Sequence, residues 1–298
     1  MNRLALGSAQ FGSQYGITNN TGQPREEDVR AILSLAWRSG IDTIDTARLY
    51  GDSEAVIGRS SGEAEFRIVT KTQRFGQLGN ASAVVQELQA AFASSLEALH
   101  RQSLYGLLVH HPSDLIGPLG PAIWSGLEEL KALGQVQKIG VSVYEAEEID
   151  AILSRYPVEI VQLPFNALDA RLVHGGQLQA LAAAGVEVHA RSIFLQGLLL
   201  GETEELPERF APLRDAIDWL ETEFRKNGLT RLEGLLAMTM QRSEIARLVV
   251  GATSEQELSA IVGAAEKAGK AGPLEIANPP VVDIRFLNPS RWSELGTE

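Results

Sequence analysis

Eight short apolar runs, each suited to a buried strand, recur along the chain and alternate with stretches of helical periodicity. They begin at Leu4, Ile41, Phe66, Leu104, Lys138, Glu159, Val186 and Ala246. FRIVTK (66–71) precedes an amphipathic run from Ala81 to His100, LYGLLVHH (104–111) precedes AIWSGLEELKALG, and KIGVSV (138–143) precedes AEEIDAILSRY. EIVQLPFN (159–166) leads to QLQALAAAG, VEVHARS (186–192) to helices within 212–243, and ARLVVGA (246–252) to EQELSAIVGAAEKAG. After the first run, the Gly-rich segment GSAQFGSQYG leads to a helix that opens near Pro24, carries acids in its first turn and ends at Gly40. Strands alternating with helices imply right-handed βαβ units in a parallel sheet covered on both faces. Eight such units predict a closed (β/α)8 TIM barrel, a single domain over 1–298, with the aperiodic segment 280–298 as a tail packed over the C-terminal face. The competing doubly wound sheet would carry a GxGxxG turn after an early strand, and the sequence has none.

Composition narrows the chemistry. The 298 residues are 44% hydrophobic and 21% charged, ordinary values for a globular protein with a large core. Without cysteine, neither a disulfide framework nor a thiolate metal site can form, and no metal site is expected. The net charge of −12, with no Lys/Arg cluster, argues against nucleic acid or an anionic membrane as partner. The N-terminus goes straight into a short apolar strand, and no stretch approaches the ~20 apolar residues of a membrane span. The expectation is therefore a cytoplasmic protein that meets small molecules and other proteins.

Barrels of this kind place their chemistry at the C-terminal ends of the strands. The polar residues there are Asp45 and Tyr50 after the second run, Lys71 at the third, His110 and His111 at the fourth, and Ser142 at the fifth. Gln162 and Asn166 end the sixth, Arg191 and Ser192 the seventh, and Gly251, Thr253 and Ser254 the eighth. Any one of these taken singly is more often an ordinary hydrogen-bonding group than a catalyst. Asp45, Tyr50, Lys71 and His110 make chemical sense together. A nearby ammonium lowers the pKa of a phenol, a carboxylate keeps a buried ammonium charged, and an imidazole can donate to a carbonyl oxygen. Such a set would protonate a carbonyl oxygen while the carbon is attacked.

The motifs DTARLYG, VTK, LLVHHP, IGVS, VQLPFN, ARSIFLQGLL and VVGATS, in this order, resemble the aldo-keto reductase family over nearly the whole chain. The resemblance implies hydride transfer between NAD(H) or NADP(H) and an aldehyde or ketone, by a bacterial member. Asp45, Tyr50, Lys71 and His110 would be the catalytic tetrad, with Tyr50 as proton donor. It also implies cofactor contacts from Ser142, Gln162 and Asn166 near the nicotinamide. Arg191 and Ser192 follow, with Phe194, Gln196, Gly197 and Leu198 around the pyrophosphate and Gly251, Ala252, Thr253, Ser254 and Glu257 towards the adenosine. Of the candidate apolar walls Phe11, Trp124, Phe165 and Trp292, the substrate contacts expected are Phe11 and, from the tail, Trp292. The tail motif NPSRW is similar to that of bacterial members from sugar and cell-envelope pathways, which points to a sugar-related carbonyl.

Three departures qualify that resemblance. Val143 stands where many members have Asn, Arg191 stands where a Tyr often stacks on the nicotinamide, and TSEQEL offers acids where NADP-preferring members have Lys or Arg. A guanidinium can also stack on an aromatic ring and would favour an anionic substrate, whereas the bland reading of Arg191 is an ion pair with a nearby acid. Glu255 and Glu257 would repel a 2′-phosphate, so the lean is to NAD(H), although both acids also suit a helix N-terminus and Arg247 is near enough in sequence to reach in. The alternative function is a regulator on the same fold that senses NAD(H) and signals to a protein partner.

Overall fold

In the computed structural model, which describes residues 3–76, 79–277 and 279–296, eight parallel strands close on themselves. They are β1 (Leu4–Gly7), β2 (Thr43–Asp45), β3 (Arg67–Lys71), β4 (Leu104–Val109), β5 (Val136–Ser142), β6 (Ile160–Pro164), β7 (Glu187–Arg191) and β8 (Ile245–Gly251). Neighbours follow chain order, and β8 returns to β1 with Gly251 opposite Gly7. The expected TIM barrel is what forms, and the strands fall within the apolar runs because both their faces are covered. Among the described residues no helix is long and apolar enough to cross a membrane.

Helix boundaries follow local chemistry. The first long helix is Glu26–Arg38, with Asp28 closing a capping box on Arg25, and Gly40 reverses the chain at φ 76°. Asn80 caps Ala81–Ala98 through the amide of Ala83, and Ser254 caps Glu255–Ala268 through that of Glu257. The short helix Ser53–Ser60 between β2 and β3 has no counterpart among the sequence runs, because its eight residues are too few for a clear period.

The barrel interior is polar at its N-terminal end. Tyr105 on β4 donates to Glu187 on β7 at 2.5 Å, a bond between strands that are not neighbours and which therefore crosses the interior. Lys138 and His189 reach the same carboxylate at 2.5 Å and 2.8 Å. Burial would raise the pKa of Glu187, but hydrogen bonds from His189, Lys138 and Tyr105 outweigh it and hold the carboxyl well below the usual range. Arg247 belongs to this floor, donating to Thr43 and facing Asp42 at 3.6 Å. It thus does not take up the place at the C-terminal end of the strands that its sequence position left open.

The tail after Ala268 contains two helical turns, Ile284–Leu287 and Pro289–Leu295, although its sequence lacks periodicity. Asn288, almost fully buried, donates to Glu145 in the loop after β5 at 2.7 Å and so fastens the tail to the C-terminal face. Thr297 and Glu298 of the expected tail lie outside the described residues. Trp292 joins a second apolar cluster, edge-on to Phe210 with centroids 5.0 Å apart, and its indole donates to Phe286.

Candidate active site

The turn after β2 is built to fix Tyr50. Ser53 donates to Ser8 and lies 3.2 Å from Thr46, so buried hydroxyls tie this turn to the end of β1. Gly12 and Gly51 make the contact between the two loops. A Cβ on Gly12 would stand 1.7 Å from the Tyr50 carbonyl oxygen, and one on Gly51 would stand 2.1 Å from the Gly12 oxygen. Gly51 also has φ 59°, so both positions demand glycine.

At the centre of the site Lys71 binds both oxygens of Asp45 at 2.9 Å and 2.8 Å, the Thr46 carbonyl at 2.9 Å, and the Tyr50 hydroxyl at 3.4 Å. Its side chain is fully buried. Burial lowers the pKa of Lys71, and the Asp45 charge and hydrogen bond oppose that fall. His110 sets its ring edge-on to Tyr50, centroids 5.8 Å apart, and stacks on His111 at 4.9 Å. Burial first, then the charge of Lys71, takes His110 down to about 3, which leaves a neutral imidazole at physiological pH.

Tyr50 differs from the sequence expectation. Burial first and then the Asp45 charge push its phenol above the ordinary value, with Arg191 opposing, whereas Lys71 was expected to lower it. Burial of the hydroxyl dominates, and because Asp45 meets Lys71 directly the phenol faces an ion pair rather than a bare cation. A phenol in that position keeps its proton at neutral pH. The Lys71 Nζ lies 3.4 Å from the phenol oxygen.

A cavity of about 550 Å³ runs from Asp45 and Tyr50, past Arg191 to Gly197, to Thr253 and Glu257. That volume suits a small-molecule site. Arg191, Ser192, Phe194, Gln196, Gly197, Gly251, Ala252, Thr253 and Glu257, the candidate cofactor contacts, line it. Leu198 is buried in the second apolar cluster, and Ser254 spends its hydroxyl on the helix cap. The wall after β7 holds Ser192, Leu195 and Gln196 at φ 61°, 49° and 54°, conformations that cost energy outside glycine and cluster at ligand sites. Thr18 donates to the Gln196 carbonyl at 3.2 Å and latches this wall to the loop after β1.

Ser142, Gln162 and Asn166 are buried at the ends of β5 and β6, and do not line that cavity. Gln162 instead donates to Asp45 at 2.6 Å. Its Oε1 and the Nδ2 of Asn166 are buried without a protein partner, leaving one acceptor and one donor unfilled. Arg191 pairs with no acid among the described residues and lies over the Tyr144 ring at 3.9 Å.

The expected substrate contacts are corrected. Phe11 is completely buried in the main core, because its helical turn sends Gln10 to the cavity and Phe11 inward. Trp292 packs under the tail, as described above, and does not line the cavity. Trp124 stacks on Tyr156, and Phe165 is core. Sequence reasoning missed the loop after β1, from which Gln10, Tyr15, Thr18 and Asn19 line the cavity. Its signal was present in the Gly-rich GSAQFGSQYG at a strand end.

The sequence model of the Aldo/keto reductase family matches residues 3–270. The chain belongs to the aldo/keto reductase family. An aldo-keto reductase of Mycolicibacterium vanbaalenii is 30% identical over 193 residues, covering 62% of this chain and 63% of that protein. The glyoxal reductase of Bacillus subtilis is 28% identical over 183 residues, covering 60% and 61% of the two chains. The match thus spans less than two thirds of the length of either relative. In fold, this aldo/keto reductase is similar to the holo form of aldo-keto reductase AKR11C1 from Bacillus halodurans, with TM-score 0.70, 21% identity and coverage of 93% and 94%. The glycerol dehydrogenase AKR11B4 of Gluconobacter oxydans gives TM-score 0.68 at 18% identity, covering 94% and 96%.

Proposed function

We propose that this aldo/keto reductase is an oxidoreductase that interconverts a small carbonyl compound and its alcohol with a nicotinamide dinucleotide. The observation that carries the reading is Lys71, whose ammonium bridges the Asp45 carboxylate and the Tyr50 hydroxyl inside the barrel. When bound, the dinucleotide supplies or accepts the hydride. Tyr50 gives its proton to the carbonyl oxygen, the Lys71–Asp45 pair stabilises the phenolate left behind, and neutral His110 orients the oxygen by a hydrogen bond. Gln162 and Asn166 do not line the cavity, but their unfilled acceptor and donor match the two kinds of group in a primary carboxamide. The long cavity beyond Arg191 fits the rest of a dinucleotide, with the backbone of 192–197 beside its phosphates.

We further propose NAD(H) as the preferred cofactor. Glu257 is the charged residue lining the far end of the cavity, where its carboxylate holds the Thr253 amide at 2.7 Å and hydroxyl at 3.0 Å. A 2′-phosphate there would meet like charge. One relative is named for glyoxal, which supports small aldehydes as the first substrates to try, beside sugar carbonyls.

The test is fluorescence titration with NADH and NADPH, followed by turnover with aldehydes, ketones and sugar carbonyls. Oxidation of the cofactor that Tyr50→Phe abolishes supports the reading. Tight binding without turnover of any carbonyl would instead favour a nucleotide sensor.

A further inference from the structure

Glu187, His189 and Arg191 alternate along β7 and so share its interior face. The first two are joined in the floor of the barrel, while Arg191 at the mouth has no acidic partner among the described residues. Its guanidinium carbon lies over the Tyr144 ring at 3.9 Å, and it donates to the Val143 carbonyl at 3.0 Å and reaches the Ser192 hydroxyl at 3.4 Å. A guanidinium has five N–H donors, so three remain without an acceptor among the described residues. The neighbouring carboxylate cannot compensate, because Asp45 is engaged by Lys71 and Gln162.

The cavity lining holds three charged residues, Asp45, Arg191 and Glu257. With Asp45 neutralised by Lys71, the catalytic end of the cavity carries one uncompensated positive charge. Arg191 lines the same cavity as Tyr15 and Tyr50, and its charge acts on both phenols and on Lys71 and His110. A half-buried cation with free, coplanar donors is costly to leave alone and binds a carboxylate or phosphate in two-pronged fashion.

We propose that Arg191 is a specificity-determining residue that receives an anionic group, a carboxylate or phosphate, carried by the carbonyl substrate, with Tyr144 holding the guanidinium plane in place. This rests on the hydride-transfer reading above and adds a substrate class to it. The preferred substrate is then an oxo-acid or a phosphorylated aldehyde rather than a neutral one.

The experiment uses matched pairs: succinic semialdehyde with butanal, 4-carboxybenzaldehyde with benzaldehyde, and glyceraldehyde 3-phosphate with glyceraldehyde. The wild type should favour the charged member of at least one pair by about tenfold or more in kcat/KM, the scale of one charge-assisted bond. Arg191→Gln should collapse that ratio to within about threefold, and Arg191→Lys should restore part of it. The ratio cancels any effect of the substitution on the cofactor, since both members of a pair share it. Equal rates within every pair in the wild type, or a preference that Arg191→Gln leaves intact, would overturn the proposal while hydride transfer stands. A parallel loss for both members with the ratio unchanged would assign Arg191 to the cofactor and overturn it equally. If no aldehyde oxidises either cofactor, the hydride-transfer reading is what fails, and calorimetric titration of the same pairs decides the anion question. Binding of a charged member that Arg191→Gln abolishes supports it, and binding indifferent to charge overturns it.

Discussion

Gln162 reaches across the barrel from β6 and donates its Nε2 to the Oδ1 of Asp45 at 2.6 Å, so the carboxylate that holds Lys71 is itself held from a third strand. Removing this donor should loosen the Asp45–Lys71 pair without breaking it. Gln162→Met is expected to lower kcat by about tenfold and to raise KM for the cofactor, through the buried Oε1 it also removes. Steady-state kinetics separates the two effects, and unchanged values would remove Gln162 from the site.

Tyr50→Phe deletes the proposed proton donor together with the hydroxyl that accepts from Lys71. Loss of general acid catalysis is worth about 10² to 10⁴ in rate, with the thermal transition near that of the wild type. Lys71→Met should cost at least as much, because it also leaves Asp45 buried without its cation. Residual turnover of Tyr50→Phe within a few-fold of the wild type would show that the proton comes from elsewhere.

His110 makes stability pH-dependent in a defined window. Its folded pKa, about 3, is below the unfolded value, so between these the unfolded chain binds more protons and stability rises with pH. On acidification the cost of keeping the ring neutral begins near pH ~6.5 and grows by about 1.4 kcal/mol per unit. Glu187, whose folded pKa is depressed, adds a loss in the same direction only below its unfolded value near ~4.5. Urea unfolding at pH 5 and pH 7.5 should therefore show a smaller difference for His110→Gln than for the wild type, by up to about 2 kcal/mol.

Gly12→Ala would bring a methyl group against the Tyr50 carbonyl, where the approach is 1.7 Å. The backbone must move, at an expected cost of about 2–4 kcal/mol in chemical denaturation. Tyr50 would shift with it, so kcat should fall more than the loss of folded protein explains.

Glu257→Lys reverses the charge at the far end of the cavity. The ratio of NADPH to NADH affinity is expected to rise by about tenfold, read by fluorescence titration. No change would show that the 2′-position lies beyond this residue.

How far the sequence could be read depends on the scale of each signal. The barrel was legible because eight apolar runs reflect burial on both faces, and Asp45, Tyr50, Lys71 and His110 because strand ends in a barrel converge. Phe11 and Trp292 were misplaced because an aromatic looks the same in a core as on a pocket wall, and only packing directs it. The partner of Gln162 and the stack of Arg191 on Tyr144 were illegible for another reason. They join residues on separate strands and loops, and no local pattern records which of several polar side chains meet.

The contact between Gly12 and Gly51 bears on how this chain can diversify. Because the loops after β1 and β2 touch backbone to backbone there, they behave as one mechanical part, and an insertion in either would displace Tyr50. Drift in loop length, by which barrels gain new substrates, is thereby channelled away from these two crossings and towards the loops that do not carry Tyr50.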